Sequence, residues 1–235
     1  MRKAQFFYLL RRGLLSGGLN LITEGLVMAS KFITQGLSFP AQGSAEFDGS
    51  SDYIQLDTPL ISGTQDFSIS AWINTKVVGS GKTILASYGT TNAGGFQFYI
   101  SPFGISIYIN GYVSATYSTA NEWRFVTVTR ESNAVKLYID GSVAASGTLS
   151  NSVTEANARI GSNITNGEYF DGNLANVAIW NRALSSDEIN SVMWKSYEAL
   201  SGAESNGLQA WYSLDDISGS SVPDSSGNGN NGTAY

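Results

Sequence analysis

The chain has 235 residues, of which 42% are hydrophobic and 14% are charged, enough for one domain with a substantial core. It contains neither histidine nor cysteine, which excludes histidine-dependent triads, thiolate chemistry, disulfides and the common zinc sites. Residues 1–40 hold five basic residues and one acidic residue, whereas the remainder holds eight basic and eighteen acidic residues. An acidic main domain is a poor nucleic-acid binder, because phosphate contacts need clustered lysine and arginine.

The N-terminal segment is rich in apolar residues and has a net charge of +4. Phe6, Leu9, Leu10 and Leu14 recur at helical spacing, which predicts a short amphipathic helix. The segment is too apolar for a solvated linker, and exposed apolar patches usually mark interfaces. We therefore expect residues 1–43 to form an arm that docks the protein into a larger assembly. Neither of its first two uncharged runs reaches the roughly 20 residues that a membrane span needs.

From Ala45 onward the hydrophobic pattern changes to period two, which is typical of half-buried antiparallel strands. Asn110 and Gly111, like Asp140 and Gly141, are expected to supply the positive φ angles of hairpin turns. Strands recur about every ten residues between turns rich in glycine, asparagine, aspartate and serine, and this spacing predicts an all-β sandwich. The alternating segments are Asp66–Thr75, Phe96–Ser101, Ile105–Ile109, Phe125–Arg130 and Val135–Ile139.

One helix is predicted near the C-terminal part of the chain, at about Ser186–Leu200. Ser185 and Glu188 have the spacing of a capping box. The apolar stripe on this helix is expected to pack against the sandwich; it comprises Ile189, Val192, Met193 and Tyr197.

Beyond the helix, the segment 208–214 alternates as a further strand. Leu208, Ala210, Tyr212 and Leu214 are expected on one face, and Gln209, Trp211 and Ser213 on the other.

Several segments resemble the laminin-G-like jelly rolls of the concanavalin A-like lectin and glucanase superfamily. They include "FSISAWINT", "EWRFVTVTR", "VKLYIDG", "ARIGS" and "FDGNLANVAIWNRALSSDEI". The resemblance covers roughly residues 44–235, excludes the arm, and implies an antiparallel jelly-roll sandwich.

One feature departs from the family pattern. "LQAWYSLDD" followed by "DSSGNGNNGTA" resembles the segment that normally opens such a domain, yet here it closes the chain. Residues 44–235 are therefore expected to be a circularly permuted domain. Donation of the strand to a neighbouring molecule and a truncated second repeat remain alternatives.

The resemblance also raises the question of calcium, because such jelly rolls often hold one structural Ca²⁺. Calcium prefers six to eight oxygen ligands. Asp224 and Asn228 lie in a glycine-opened turn, and Asp171 of the "FDGN" segment is the expected second carboxylate, with Asp48 as a weaker third. The alternative is a hydrogen-bonded Asx turn that holds no ion.

An enzyme of the glucanase type is not expected. Those enzymes use paired carboxylates in the pattern E-x-D-x-x-E. Glu46 and Asp48 match its first half, but Ser51 occupies the place of the second glutamate.

A sugar site would combine aromatic platforms with amide and carboxylate groups. Alternation places Tyr99 and Tyr108 on the faces opposite their apolar neighbours. The sequence selects no cluster among the candidates, which are Tyr88, Asn92, Tyr99, Tyr108, Tyr112, Tyr117, Asn163, Asn166 and Tyr169.

The sequence thus predicts a non-enzymatic binding or structural module with lectin-like adhesion to glycans. The apolar arm favours docking through residues 1–40 to other structural proteins of a larger assembly, such as the surface of a bacteriophage virion, as a decoration or fibre protein. In such an assembly the protein is expected as a homo-oligomer or in many copies. A secreted or cell-surface lectin is the alternative. Nucleic acid is not expected as a partner, and no membrane span is expected in the chain.

Overall fold

The computed structural model describes residues 2–4, 43–87, 94–154, 156–163 and 167–235. Two antiparallel sheets face each other as a sandwich, and helices are short, which confirms the predicted fold class. The predicted helix around Phe6–Leu14 lies outside the described residues. No helix in the described part of the chain is long and apolar enough to cross a membrane.

Sheet I has the strand order β1-β2-β13-β4-β9-β10-β11, and β14 also pairs with β13. Its strands are β1 (Arg2–Ala4), β2 (Ser44–Asp48), β4 (Phe67–Thr75), β9 (Arg124–Glu131), β10 (Ala134–Ile139), β11 (Ser142–Thr148), β13 (Asp171–Trp180) and β14 (Leu208–Tyr212).

Sheet II has the order β15-β16-β3-β12-β5-β6-β7-β8. Its strands are β3 (Ile54–Leu56), β5 (Lys82–Ser87), β6 (Phe96–Ser101), β7 (Gly104–Tyr108), β8 (Tyr112–Ala115), β12 (Ala158–Ile160), β15 (Ser221–Val222) and β16 (Gly232–Ala234).

The main core lies between the sheets and is built from the apolar members of the alternating strands. At the β10–β11 turn both Asp140 and Gly141 have positive φ, as predicted. At the β7–β8 turn Asn110 has a φ of 48°, but Gly111 is not among the residues with positive φ. The difference arises because three residues separate the paired Tyr108 and Tyr112, so this turn is not the two-residue type.

A second apolar layer covers the outward side of sheet I. It unites Trp72, Trp180 and Trp211 with the helical segment that follows β13. The indole nitrogen of Trp72 donates to the carbonyl of Met193 at 3.1 Å, and that of Trp180 donates to the carbonyl of Glu204 at 2.8 Å. The prediction of half-buried strands therefore fails for β4, β13 and β14, because this layer also buries their second face, including Trp72 and Trp211.

The helix begins as predicted and ends early. Ser185 and Glu188 form both hydrogen bonds of the capping box, but α1 spans Ser186–Val192 and not Ser186–Leu200. The chain continues as a turn and a 3₁₀ helix at Tyr197–Ala199, followed by α2 at Gly202–Ser205. Because the segment is divided into three short helices, it can follow the outward surface of sheet I. The apolar stripe of α1 packs on sheet I as expected.

The C-terminal segment pairs with strands of its own chain. β14 lies beside β13 from Val177 to Trp180, on the side where β2 pairs with the other half of β13. β16 pairs with β3 in sheet II. A bulge opposite Ile179 and Trp180 shifts the register, so Leu208 lies in the outer layer with Trp211 and not on the face of Ala210. The domain limits and the circular permutation stay predictions.

Candidate functional site

A row of side chains crosses the outward side of sheet II. Strand pairing aligns one residue from each of six neighbouring strands, in the order Gln55, Arg159, Ala86, Gln97, Tyr108 and Tyr112. A second row beside it aligns Thr83, Tyr99, Ser106 and Ser114. We call Gln97, Tyr99, Tyr108, Tyr112 and the adjoining Glu168 the tyrosine face.

These side chains point outward because their neighbours fill the core. Phe96, Phe98 and Ile100 on β6 belong to the core cluster, which leaves Gln97 and Tyr99 on the opposite side. The prediction that Tyr99 and Tyr108 lie opposite their apolar neighbours is thereby confirmed. Tyr117, another tyrosine considered for a sugar site, instead lies buried in the core.

Tyr108 and Tyr112 form the aromatic part of the face. Their ring centroids are 4.8 Å apart and the planes are tilted by 43°. The short turn through Asn110 fixes this pair, because it places the two residues directly opposite each other. Tyr112 is 65% exposed, whereas Tyr108 is half-buried. The pair therefore offers a bent aromatic surface to solvent.

Tyr99 supplies a hydroxyl at the base of the face. The residue is 8% exposed. Burial, with smaller contributions from Tyr112 and Glu168, raises the pKa of Tyr99 to about 12. The phenol therefore stays protonated at neutral pH, and it can both donate and accept a hydrogen bond.

A ladder of serine hydroxyls adjoins the tyrosines. The Ser106 hydroxyl lies 2.8 Å from that of Ser101 and 2.7 Å from that of Ser114. The side of sheet II that carries the tyrosines is thus polar along two adjacent rows.

Glu168 joins the face from the loop before β13. Its carbonyl accepts from the backbone nitrogen of Thr83 at 2.8 Å, and its carboxylate accepts from the amides of Gln97 and Asn163. The Gln97 amide also donates to the Thr83 hydroxyl at 2.8 Å. Glu168 is exposed, yet these hydrogen bonds hold its carboxylate in one position. Sequence reasoning missed it, because no local pattern marks a loop residue that reaches a strand about 70 positions earlier.

A separate stack stands at the other end of the row. The guanidinium carbon of Arg159 lies 4.2 Å from the ring centroid of Tyr53, and the Tyr53 and Tyr235 rings stack at 5.0 Å. Arg159 also donates from Nε to the Gln55 side chain at 2.9 Å. This arrangement holds the last residue of the chain against sheet II.

The predicted metal residues Asp224 and Asn228 lie in one turn beside β14. The Asp224 carboxylate accepts from the backbone nitrogens of Trp211, Ser226 and Asn230 and from the Ser226 hydroxyl, at 2.9–3.0 Å. The amide of Asn228 donates to the carbonyls of Leu208 and Gln209. Both side chains therefore bind the turn to β14.

Asp171 lies at the start of β13, at the end away from the residues that pair with β14. Asp224 binds the nitrogen of Trp211, which pairs with Ala178, seven residues beyond Asp171. Seven strand residues correspond to roughly 20 Å, so the structure does not bring the three predicted ligands together. Asp171 instead lies beside Lys76, at 3.7 Å, and opposite Asp48 on β2. In the described ranges, no three acidic side chains cluster in a way that could hold a metal. Calcium binding itself stays a prediction.

Asp48 and Glu46 serve local structure. Burial raises the pKa of Asp48, but hydrogen bonds from Ser51 and Ser50 outweigh it and hold that pKa well below its usual range. The carboxylate accepts from the backbone of Ser50, Ser51 and Asp52 and so organises the turn after β2. Glu46 forms an ion pair with Lys76 at 3.0 Å.

Three of the other sugar-site candidates, Tyr88, Asn92 and Asn166, lie outside the described residues.

Comparison with known proteins places this geometry in a family. Residues 48–190 match the model of a laminin-G-like family described as the concanavalin A-like lectin/glucanases superfamily. No curated protein sequence matches the chain at a significant level.

Three solved structures share the fold. A candidate carbohydrate-binding protein from Bacteroides ovatus aligns with a TM-score of 0.65 and 18% identity, over 82% of this chain and 57% of its own. Domain 4 of an extracellular family GH43 arabinanase from Geobacillus stearothermophilus, solved with arabinotriose, gives 0.54 and 21%, over 65% and 77%. A heptameric pentraxin from Limulus polyphemus gives 0.53 and 15%, over 65% and 84%. The chain thus spans just over half the length of the Bacteroides protein.

Proposed function

Because the chain belongs to the concanavalin A-like lectin/glucanase superfamily, we propose that it is a non-enzymatic glycan-binding module that uses the tyrosine face. The observation that carries the proposal is the alignment of Tyr108, Tyr112 and Gln97 in one row, with Tyr99 beside them. The neighbours described as carbohydrate-binding or bound to arabinotriose support the ligand class.

The chemistry of the face suits a saccharide. A sugar ring has one apolar side of C–H groups, which packs on an aromatic ring, while its hydroxyls need hydrogen-bond partners. Tyr112 offers the exposed ring, and Gln97, Tyr99 and Glu168 offer donors and acceptors within the same area. Rigid strands hold three of these four residues, so a glycan would bind without ordering a loop.

The distribution of carboxylates supports a non-enzymatic role. Retaining and inverting glycosidases need two carboxyl groups flanking one bond. Among the described residues assigned to the tyrosine face, Glu168 is the single carboxylate. Glu46 and Asp48 lie on sheet I and are held by a lysine and by a turn.

A glycan-binding measurement tests the proposal. Arabinotriose and a panel of neutral oligosaccharides are titrated against the purified chain by calorimetry. Tyr112→Ala should lower affinity for any bound glycan about tenfold or more, because it removes the exposed ring. Tyr235→Ala is the matched control, since Tyr235 is similarly exposed at 61% but follows β16, which is six strands away from β8 in sheet II. Equal affinity of Tyr112→Ala and wild type would reject the tyrosine face as the site.

The setting of the module is a further part of the proposal. The basic, apolar arm favours docking into an assembly, such as a virion surface, in many copies. The tyrosine face would serve a secreted or cell-surface lectin equally well. A comparison of the full chain with residues 44–235 separates these settings. Docking predicts that the full chain self-associates or aggregates alone, whereas the truncated form is soluble and monomeric. A full chain that is soluble and monomeric would favour the secreted setting.

A further inference from the structure

We infer that Glu168 makes the tyrosine face selective for neutral and cationic glycans against anionic ones. The inference rests on the proposed glycan-binding role and adds the class of saccharide that the site admits. It assigns the selectivity to one residue, which comes from a loop and not from the strands that carry the aromatic rings.

The charge of Glu168 is held in place. Its carbonyl is bonded to the backbone of Thr83 and its carboxylate to the amides of Gln97 and Asn163. A freely rotating glutamate could turn away from an anionic ligand, but this one would have to break two side-chain bonds. Gln97 pairs with Tyr108, so the carboxylate stands beside the aromatic pair.

No cation compensates for this charge among the described members of the two rows near the tyrosines. Their other side chains are neutral, namely Ala86, Thr83, Ser106 and Ser114. Arg159 is in the same row, two strands from the Gln97 that binds Glu168, which corresponds to about 10 Å at about 4.8 Å per strand. That separation is comparable to the screening length of about 10 Å at 0.1 M salt, so salt weakens the effect of Arg159 on the Glu168 carboxylate. Arg159 is moreover engaged with Tyr53 and Gln55.

The consequence for a ligand follows from Coulomb's law. A uronate or sialate carboxylate on the face would stand near Glu168 in a partly desolvated setting, where like charges repel more strongly than in water. A protonated amino sugar would be attracted by Glu168 and by the negative faces of the tyrosine rings. We expect the anionic member of a matched pair to bind at least about tenfold more weakly than the neutral member.

Three matched pairs of glycans test this selectivity by calorimetry with the full chain. They are lactose and sialyllactose, the methyl ester of trigalacturonate and trigalacturonate, and the N-acetylated and free-amine glucosamine tetramers. Glu168→Gln keeps the size of the side chain and one acceptor oxygen, and it should remove most of the discrimination. Glu131→Gln removes the same charge from an exposed position on sheet I and should leave the discrimination unchanged.

A second measurement does not depend on any variant. Because the discrimination is electrostatic, the wild-type ratio of affinities should shrink as salt rises from 0.05 to 0.5 M, whereas a steric preference would not. Tyr112-dependent binding of the neutral glycans with equal or tighter binding of the anionic ones would overturn the inference and leave the proposed function standing. Binding of no glycan at all would overturn both.

Discussion

Removal of the C-terminal segment, residues 206–235, should unfold the domain. The segment supplies β14 to sheet I and both β15 and β16 to sheet II, so its loss opens an edge in each sheet. Five large side chains that are at least nine-tenths buried would be removed, namely Leu208, Trp211, Tyr212, Leu214 and Val222. At about 1.5–3 kcal/mol for each buried large apolar side chain, the loss amounts to roughly 7–15 kcal/mol. A typical domain has a total stability of about 5–15 kcal/mol.

The assay compares residues 1–205 with the full chain by tryptophan fluorescence and circular dichroism during heating. We expect no cooperative transition for the shortened chain, and recovery of the transition when a peptide of residues 206–235 is added. Melting within two degrees of the full chain would refute the reasoning and would favour an idle remnant of a second repeat.

A second experiment, on residues 44–235, distinguishes completion of the sheet by the chain's own strand from donation of that strand to a neighbouring molecule. In the structure β14 pairs with β13 of its own chain. Residues 44–235 should therefore be monomeric, with a melting temperature that does not depend on protein concentration. A melting temperature that rises with concentration would instead indicate strand exchange between molecules.

Two further predictions concern buried carboxylates. Asp224→Ala should lower the free energy of unfolding by about 3 kcal/mol in urea titrations, because three backbone N–H groups lose their acceptor. Asp216→Ala, at an exposed position, is the control. If the wild-type protein melts at the same temperature with calcium and with chelator, calcium does not bind at this turn. Burial raises the pKa of Glu204, but hydrogen bonds from Lys195, Ser191 and Ser201 outweigh it and lower that pKa to about 2. Glu204 should thus stabilise the fold above pH 4.5 and lose its contribution, about 2–3 kcal/mol, as pH falls from 4.5 toward 2. The free energy of unfolding of Glu204→Gln should therefore fall less over this pH range than that of the wild type. An equal fall in both proteins would contradict this role of Glu204.

Period-two alternation predicted six of the strands, β4, β6, β7, β9, β10 and β14, because a strand of a sandwich faces the interior with every second residue. It failed where a third layer covers the sheet. Trp72 and Trp211 alternate with core residues, yet both are buried under α1 and the chain that follows it. Alternation of apolar residues predicts that one face of a strand is buried, but it does not predict that a later segment of the chain covers the other face. The bulge that moves Leu208 likewise depends on pairing with β13 and not on β14 alone.

The candidate site likewise has one part that the sequence pattern could predict and one part that it could not. Tyr99, Tyr108 and Tyr112 belong to three consecutive hairpin strands, so alternation and local turns could place them on one face. Glu168, which accepts a hydrogen bond from the neighbouring Gln97, comes from a distant loop. The separation of Asp171 from Asp224 likewise follows from the pairing of β13 with two different strands. In this fold the strands fix which rings face outward, and the loops between distant strands decide which charges stand beside them. Variants of those loops should therefore change the charge of the accepted glycan without disturbing the aromatic platform, whereas variants of Tyr112 should weaken all glycans alike.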